Sequence, residues 1–579
     1  MKRIVLLAAC CFLTQPALAE SELAPRVVGP LETWSAADAD LFDPAWLHVK
    51  FVEGSETAIH ADRFTDPTLD LSAVNAALQR GHAVEVRRTF QKDRALLREW
   101  KREGELRSGA TGPDLSLWFD VRVEGGPARV AQLVNGLNAC AAVEIAHPAM
   151  GVQSAVLRTE SMPHAAHRGG TPDFSGMQQY LYDAPAGLEG PAAWLVAGGK
   201  GDGLKFIDVE LAWTEDHEDF DDSKLFYQGG ATEDPGYEPH GTAVLGEVIG
   251  QHNAYGVSGF APDVQYGRVA VTVSEWPNVP HYFQEAIDQL DAGDVWLIEL
   301  QTNQVLPMEH VQVNYDVIWT GCWSRGVVCI EAAGNGSWNL DSAQFGGLFD
   351  RNVRDSGAIM VGAGTPFGLV AESFSNYGTR CDAHAWGSQI VTTGYGDLYN
   401  EGPLQTRYTD GFGGTSGASP MVTGAALCLQ GIAIANQARR LTPLELRTLI
   451  TETGTPQQGT RLIGPRPNLE VAVETLLDAA SVPASAASRA LNLVVSPNPF
   501  HDASEIRFAA PDAGFGSVDV FDATGRQVRQ LWTGKMAAGT QAMTWDGRDD
   551  AGQMAPSGVY YVRITVNDVN ATRTVQRIR

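Results

Sequence analysis

The sequence predicts an α/β fold, a mostly parallel sheet flanked by helices, with a small α+β module before it and an all-β sandwich after it. Three observations carry this. From Gly203 to about Gly396 short apolar runs alternate with helix-like segments, the pattern of crossover units that lay parallel strands side by side. Before that stretch, alternating strand-like pieces surround a helical run. After residue 490 the chain is strand-rich and punctuated by Asn/Asp/Gly/Pro turns. The 579 residues suit three or four domains at roughly 150 residues each.

Composition narrows the function classes. Lys and Arg total 42 against 69 Asp and Glu, a formal charge of −27 that repels a phosphate backbone, so nucleic acid is excluded as a partner. Hydrophobic residues at 44% supply a core that long disordered chains lack, and collagen, coiled-coil and mucin-like classes are excluded with them.

The elements follow in chain order. Lys2-Arg3, the apolar run Ile4 to Leu13 and Ala17-Leu18-Ala19 make a secretory signal peptide over residues 1–19, cleaved after Ala19, which implies a secreted or cell-surface protein. A lipoprotein alternative at Cys10 has only six apolar residues before it. No later run reaches the ~20 apolar residues of a spanning helix, so no transmembrane segment is expected. Five cysteines remain after the signal, without a Cys-x-x-Cys element, and they specify neither zinc nor a disulfide pairing.

Residues 20–165 read as the α+β module, with strands at Trp46–Val52, Leu115–Val123 and Val143–His147 and a helix at Arg129–Cys140. Within it, residues 78–107 hold nine Lys/Arg against five Asp/Glu, either a solvated helix face or a surface that meets an acidic partner. Residues 171–478 form the parallel-sheet domain. Strands are predicted at Leu204–Ile207, Gln265–Val273, Val295–Leu300, Val327–Ala333 and Ala358–Ala363, and helices at Thr242–Ile249, Tyr282–Leu290, Val311–Trp323, Gly417–Gln437 and Pro443–Thr453. Residues 479–490, small and with one Pro, read as a linker, and 491–579 as the sandwich.

Three segments carry chemistry. In Gly414-Thr415-Ser416-Gly417-Ala418-Ser419-Pro420-Met421 a serine sits between a glycine turn and a helix, where free N–H groups favour developing negative charge; alone it is as well explained as an N-cap. His240-Gly241-Thr242-Ala243-Val244-Leu245-Gly246 opens another helix with small residues that permit close approach. Leu204-Lys205-Phe206-Ile207-Asp208 ends an apolar strand in an acid, where open parallel sheets place ligands or where an Asp merely starts a turn. Together they supply nucleophile, base and orienting carboxylate in the order Asp–His–Ser, which resembles the chain order of the subtilisin triad.

These blocks, with Ala332-Ala333-Gly334-Asn335 after a strand, resemble the subtilisin-like serine protease (subtilase) family. The resemblance covers about residues 171–478 and implies a serine endopeptidase acting on protein or peptide substrates through an acyl-enzyme. Ser416 is then the nucleophile, His240 the base, Asp208 the orienting acid, and Asn335 with the Ser416 N–H the oxyanion donors. Two departures stand out. Glu210 follows Asp208 where the family has a small residue, and it either stabilises protonated His240 or points to solvent; solvent is the expectation. Glu299, Gln301 and Thr302 occupy a segment that pairs with substrate backbone in the family, and a bulky rim there favours small or basic substrate side chains. The resemblance also suggests a structural calcium ion held by Asp219 and Asn253, against a plain acidic loop over 215–222.

The upstream module resembles the family's propeptide, an intramolecular inhibitor whose following tail lies in the cleft until cut, with the basic patch turned toward the acidic catalytic domain; a retained accessory domain is the alternative. The stretch Ser496-Pro497-Asn498-Pro499-Phe500 with Tyr560-Tyr561-Val562-Arg563 resembles type IX secretion sorting modules and the related flagellar-hook-cap Ig-like fold, implying contact with secretion machinery; a spacer or carbohydrate-binding sandwich is the alternative. For the whole chain the competing interpretations are a catalytically inactive surface-binding protein on the same scaffold, and an esterase or transpeptidase using the same triad.

Overall fold

The structure, a computed structural model, describes residues 23–155, 170–481 and 493–578, apart from residues 499, 511–513, 523–525, 538 and 567–568. The expected signal peptide, the boundary between module and catalytic domain, and residues 482–490 of the expected linker lie outside the described residues.

The upstream module is a four-stranded antiparallel sheet of β1 (Phe42–Phe51), β2 (Ala83–Arg88), β3 (Trp118–Val123) and β4 (Val143–Met150), in the order β2-β3-β1-β4. Three helices accompany it: α1 (Ser72–Arg80), α2 (Arg94–Ser108) and α3 (Pro127–Asn138). The apolar stripe of α3, Val130, Leu133, Val134 and Leu137, is buried as its spacing dictates. The basic stretch 78–107 is divided in use. Arg94, Arg98 and Lys101 pair inside the module with Glu56, Asp114 and Glu105. Lys92 instead reaches Asp288 at 2.8 Å, Arg87 donates to Asn278 at 2.6 Å and Arg107 to backbone oxygens of Trp323 and Ser324, all in the following domain. A short strand, β5 (Val152–Ser154), leaves the module and enters that domain.

The catalytic-type domain is built on seven parallel strands: β6 (Lys205–Glu210), β7 (Leu225–Gly230), β8 (Gln265–Ala270), β9 (Val295–Ile298), β11 (Val328–Ala332), β12 (Ile359–Gly364) and β13 (Ala383–Trp386), ordered β13-β12-β11-β9-β6-β8-β7, with β10 (Leu300–Thr302) outside the sheet. All residues of β9, β11, β12 and β13 are buried, as a sheet covered on both faces requires. Covering helices include α4 (Glu238–Ile249), α5 (Val279–Asp288), α6 (Gln312–Trp319), α7 (Thr415–Gln437), α8 (Pro443–Thr453) and α9 (Leu469–Ser481). The predicted α/β architecture is therefore present, with the helix predicted over Val311–Trp323 ending its α-helical part at Trp319 and continuing as a π-turn over Thr320–Arg325. Helix α7 alone among the described residues is long and apolar enough to cross a membrane, and 89% of its apolar window is buried in the domain. Cys140, Cys322, Cys329, Cys381 and Cys428 are all free thiols.

The chain divides near Leu477 into two compact units. The second contains two antiparallel sheets: Val494–Ser496, Ser504–Ala510 and Gly539–Trp545 in one; Gly514–Asp522, Gln527–Met536, Gly558–Val566 and Val569–Arg577 in the other. Phe508, Val518, Val520, Trp545, Val562 and Ile564 form its buried core.

Candidate active site

Three elements converge at the carboxyl edge of the parallel sheet. Ser416 is the second residue of the 23-residue helix α7, entered through Gly414 at φ +94°, a conformation that favours glycine. The first N–H groups of a helix have no partner within it, and that of Ser416 donates to the carbonyl of Ala155 at 3.3 Å. The Ser416 side chain is buried against the positive end of the helix dipole.

His240 lies in the first turn of α4. A Cβ on Gly241 would stand 2.4 Å from the Ala212 carbonyl and 2.7 Å from the Trp213 ring, so glycine there permits the helix to press against the segment after β6. That contact brings His240 to an acid, and the acid is Glu210. Glu210 Oε2 lies in buried contact with His240 Nδ1, and its Oε1 accepts the N–H of Leu211 at 2.7 Å. Phe412 packs edge-on against the imidazole at 5.5 Å.

The sequence expectation that Asp208 orients His240 is corrected, as is the expectation that Glu210 faces solvent. Strand β6 runs two residues beyond Asp208, with Asp208 opposite Arg268 and Glu210 opposite Ala270. Residues 208 and 210 share one face, but Glu210 is at the strand's end and Asp208 stands about 6–7 Å further down. Asp208 is fully buried there and accepts the indole N–H of Trp213 at 2.8 Å. Burial, with the charge of Glu210 adding, pushes its carboxyl well above the usual range. The apolar alternation Ile207, Val209, Leu211 continues past Asp208 and was the available signal for the longer strand.

Asn335 follows β11 through Gly334, at φ +91°. Its Oδ1 accepts from Thr415 N and Thr415 Oγ1 at 2.9 and 3.1 Å, which fixes the amide with Nδ2 turned into the cleft. Nδ2 donates to the Ala155 carbonyl at 2.5 Å. The turn is braced by Asn376, whose Oδ1 accepts from Gly336 and Trp338 N–H while Nδ2 donates to Val305 and Ala333 carbonyls.

Glu299 forms no rim. It is fully buried, and Oε1 accepts from Ser419 Oγ at 2.7 Å. Burial pushes its carboxyl well above the usual range; the charges of Asp208 and Glu210 add to this, and the Ser419 hydroxyl opposes it. Gln301 and Thr302 do carry the expected backbone pairing, here with the chain's own β5: Leu300 opposite Ser154, Gln301 opposite Gln153 and Thr302 opposite Val152, antiparallel.

The site thus assembles a buried hydroxyl at a helix N-terminus, an imidazole held by a carboxylate, and two N–H donors aimed at one peptide oxygen, the parts of an acyl-transfer centre. Ser416 Oγ and His240 Nε2 are buried without a hydrogen-bond partner among the described residues; catalytic hydrogen bonds often tighten only in the reacting complex.

Asp219 and Asn253 meet as the family resemblance suggested, but not as metal ligands. Asn253 turns its Nδ2 to Asp219 Oδ1 at 3.0 Å while its own oxygen accepts from Tyr255 N, and Asp219 Oδ2 accepts from Val257 N at 2.6 Å. A calcium site needs converging oxygens, whereas N–H donors fill this one, and no group of three His, Cys, Asp or Glu that could hold a metal occurs among the described residues. Burial raises the Asp219 carboxyl to about 7.

Residues 203–464 match the model of the subtilase family, and residues 498–569 that of the FlgD Ig-like domain. The chain carries a subtilase domain. This subtilase domain is similar to the thermophilic serine proteinase of Bacillus sp. (strain AK1), 31% identical over 300 residues covering 50% of this chain and 65% of that protein. The extracellular protease of Xanthomonas campestris pv. campestris is 31% identical over 228 residues, covering 37% of this chain and 36% of that protein. The chain thus spans less than two thirds of either relative. The crystal structure of fervidolysin from Fervidobacterium pennivorans, a keratinolytic enzyme related to subtilisin, aligns at 14% identity over 95% of this chain and 74% of that one, with a TM-score of 0.47.

Proposed function

We propose that this chain is a secreted serine endopeptidase that hydrolyses peptide bonds through an acyl-enzyme on Ser416. The observation that carries this is the convergence of Asn335 Nδ2 and the Ser416 N–H on a single peptide oxygen beside the Ser416 hydroxyl. Donors placed where an oxyanion develops are worth ~10²–10³ each in turnover. Ser416 Oγ attacks the carbonyl carbon while His240 takes its proton and returns it to the leaving amine; Glu210 holds the imidazole and stabilises its charged form. Water then attacks the ester with the same histidine as base.

The upstream module acts as an intramolecular inhibitor. Its β5 occupies the backbone-pairing edge that a substrate would use, and Lys92, Arg87 and Arg107 tie it to the domain it covers. Export is supported by the residue order of 1–19, and the FlgD Ig-like domain is the part that meets secretion machinery or the cell surface. Calcium bound by Asp219 and Asn253 forms no part of this function.

A fluorophosphonate probe tests the activated serine. Labelling is expected in the processed protein and absent in Ser416→Ala, which loses casein cleavage by ~10⁶-fold. No labelling of the wild type identifies an idle scaffold, and labelling without casein cleavage identifies an esterase.

A further inference from the structure

We infer that the peptide bond on the carboxyl side of Ala155 is the one this chain cuts in itself, and that Val152–Ala155 is a template of the substrates its cleft prefers: a small residue immediately before the cut and a small hydroxyl residue before that. The inference rests on the serine-endopeptidase function proposed above and specifies its first substrate.

The backbone identifies the bond. Gly151 to Ala155 is an extended segment laid antiparallel on the edge from Glu299 to Asn303, with Asn303 N donating to the Gly151 carbonyl at 2.9 Å and Ala155 N donating to the Glu299 carbonyl at 3.2 Å. Of the carbonyls in this segment, that of Ala155 receives both oxyanion donors, Asn335 Nδ2 at 2.5 Å and Ser416 N at 3.3 Å. The Ser154 carbonyl turns instead to Gln301 Nε2 at 3.3 Å. Among the described residues, the Ala155 carbonyl carbon alone is therefore presented with its oxygen already in the hole.

The side chains identify the preference. Ala155 is completely buried, so a larger side chain there must displace packed atoms. Ser154 Oγ donates to Glu210 Oε1 at 3.0 Å, on the carboxylate whose other oxygen holds His240. A buried carboxylate that loses a hydrogen-bond donor bears the cost of that unfilled lone pair, so an apolar residue at this position weakens the very group that orients the base. Further back, a Cβ on Gly151 would stand 2.1 Å from Asn303 Nδ2 and 2.9 Å from Trp276, so any side chain there displaces the Asn303 amide.

The step balances without a co-reactant other than water. The Ser416 Oγ–carbon bond forms at Ala155, the carbon–nitrogen bond to the next residue breaks, and the serine proton passes through His240 to the leaving nitrogen. Water then adds to the ester carbon, its proton passing through His240 back to Ser416 Oγ, leaving a carboxylate on Ala155. The product strand stays paired with β10, so the module inhibits after the cut until it is removed.

The test uses the full-length chain, unfolded and refolded alone so that no other protease contributes, with the released fragment measured by mass. The expected result is a fragment ending at Ala155 in the wild type and none in Ser416→Ala. Ala155→Phe should slow its appearance at least about tenfold, and on the processed enzyme chromogenic Val-Gln-Ser-Ala peptides should exceed Val-Gln-Ser-Phe and Val-Gln-Leu-Ala peptides by about tenfold or more in kcat/KM. A fragment ending elsewhere, or equal turnover of the phenylalanine peptide, overturns the inference while fluorophosphonate labelling and casein cleavage leave the endopeptidase function standing. Loss of labelling and casein cleavage in the wild type overturns both.

Discussion

The subtilase domain holds two buried groups of carboxyls that solve the same problem in opposite ways. Behind one end of the sheet, Glu309 and Asp382 share the guanidinium of Arg380, whose Nε and Nη2 each donate to Glu309 at 2.8 Å while Nη1 donates to Asp382 at 2.6 Å. Asp355 is gripped similarly by Arg447. Around Ser416, by contrast, Asp208, Glu247 and Glu299 are fully buried, and none has an ion pair among the described residues. Burial raises all three well above the usual carboxyl range. Asp355 is also buried, yet the Arg447 hydrogen bonds and charge outweigh that and bring it to about 2. The difference teaches that a cation built beside Glu309, Asp382 and Asp355 offsets the cost of burying their charge, an offset that the acids around Ser416 lack.

Removing the cation from the compensated group should have the largest effect on stability. Arg380→Met leaves the buried Glu309 without its cation and Asp382 with Arg351 alone, at 2.7 Å, and is expected to cost about 3–5 kcal/mol, seen as a fall in the urea midpoint, while turnover per folded molecule is unchanged. Asn335→Ala inverts this: stability changes little and kcat falls ~10²–10³-fold at similar KM. If Arg380→Met instead abolished turnover of folded protein, the two groups would not be separable.

A smaller, pH-dependent effect separates them by sign. Glu299 is protonated in the fold and ionised in the unfolded chain above about pH 4.3, so the native state binds the extra proton and its contribution to stability is lost as pH rises through the raised value. Glu299→Gln, in a Ser416→Ala background that prevents self-digestion, should match the parent near pH 4 and exceed it in alkaline urea titrations. Asp355 behaves oppositely: its contribution is present above about pH 4 and lost as pH falls toward its folded value of about 2. Asp355→Asn should therefore flatten the acid side only. Parallel pH profiles for both variants would break the comparison.

Much of this architecture was legible in the sequence because its signals are local. The alternation of apolar runs and helices gave the parallel sheet, and the glycines beside Ser416, His240 and Asn335 mark turns and close approaches that the structure contains. The orienting acid was less legible. Asp208 and Glu210 lie on one face of one strand, and which of them meets His240 depends on where pairing with β8 and β9 ends and on how closely α4 packs, both long-range quantities. Glu299 was read as a pocket rim for the same reason: its strand position was clear, but the break between β9 and β10 turns its side chain toward Ser419. The basic stretch 78–107 shows how charge alone underdetermines contact, since Arg94, Arg98 and Lys101 pair within the module while Lys92, Arg87 and Arg107 reach the following domain.

The central claim is that Glu210, at the end of β6, holds the catalytic imidazole while Asp208 below it does not. Fluorophosphonate labelling rates of Glu210→Gln and Asp208→Asn, each compared with the parent at equal folded concentration, test it most directly. The account predicts a fall of about 10³–10⁴ for Glu210→Gln, the scale set by amide replacement of the orienting acid in serine proteases, and a rate within about tenfold of the parent for Asp208→Asn. The reverse ranking, with Asp208→Asn inert and Glu210→Gln active, would contradict it.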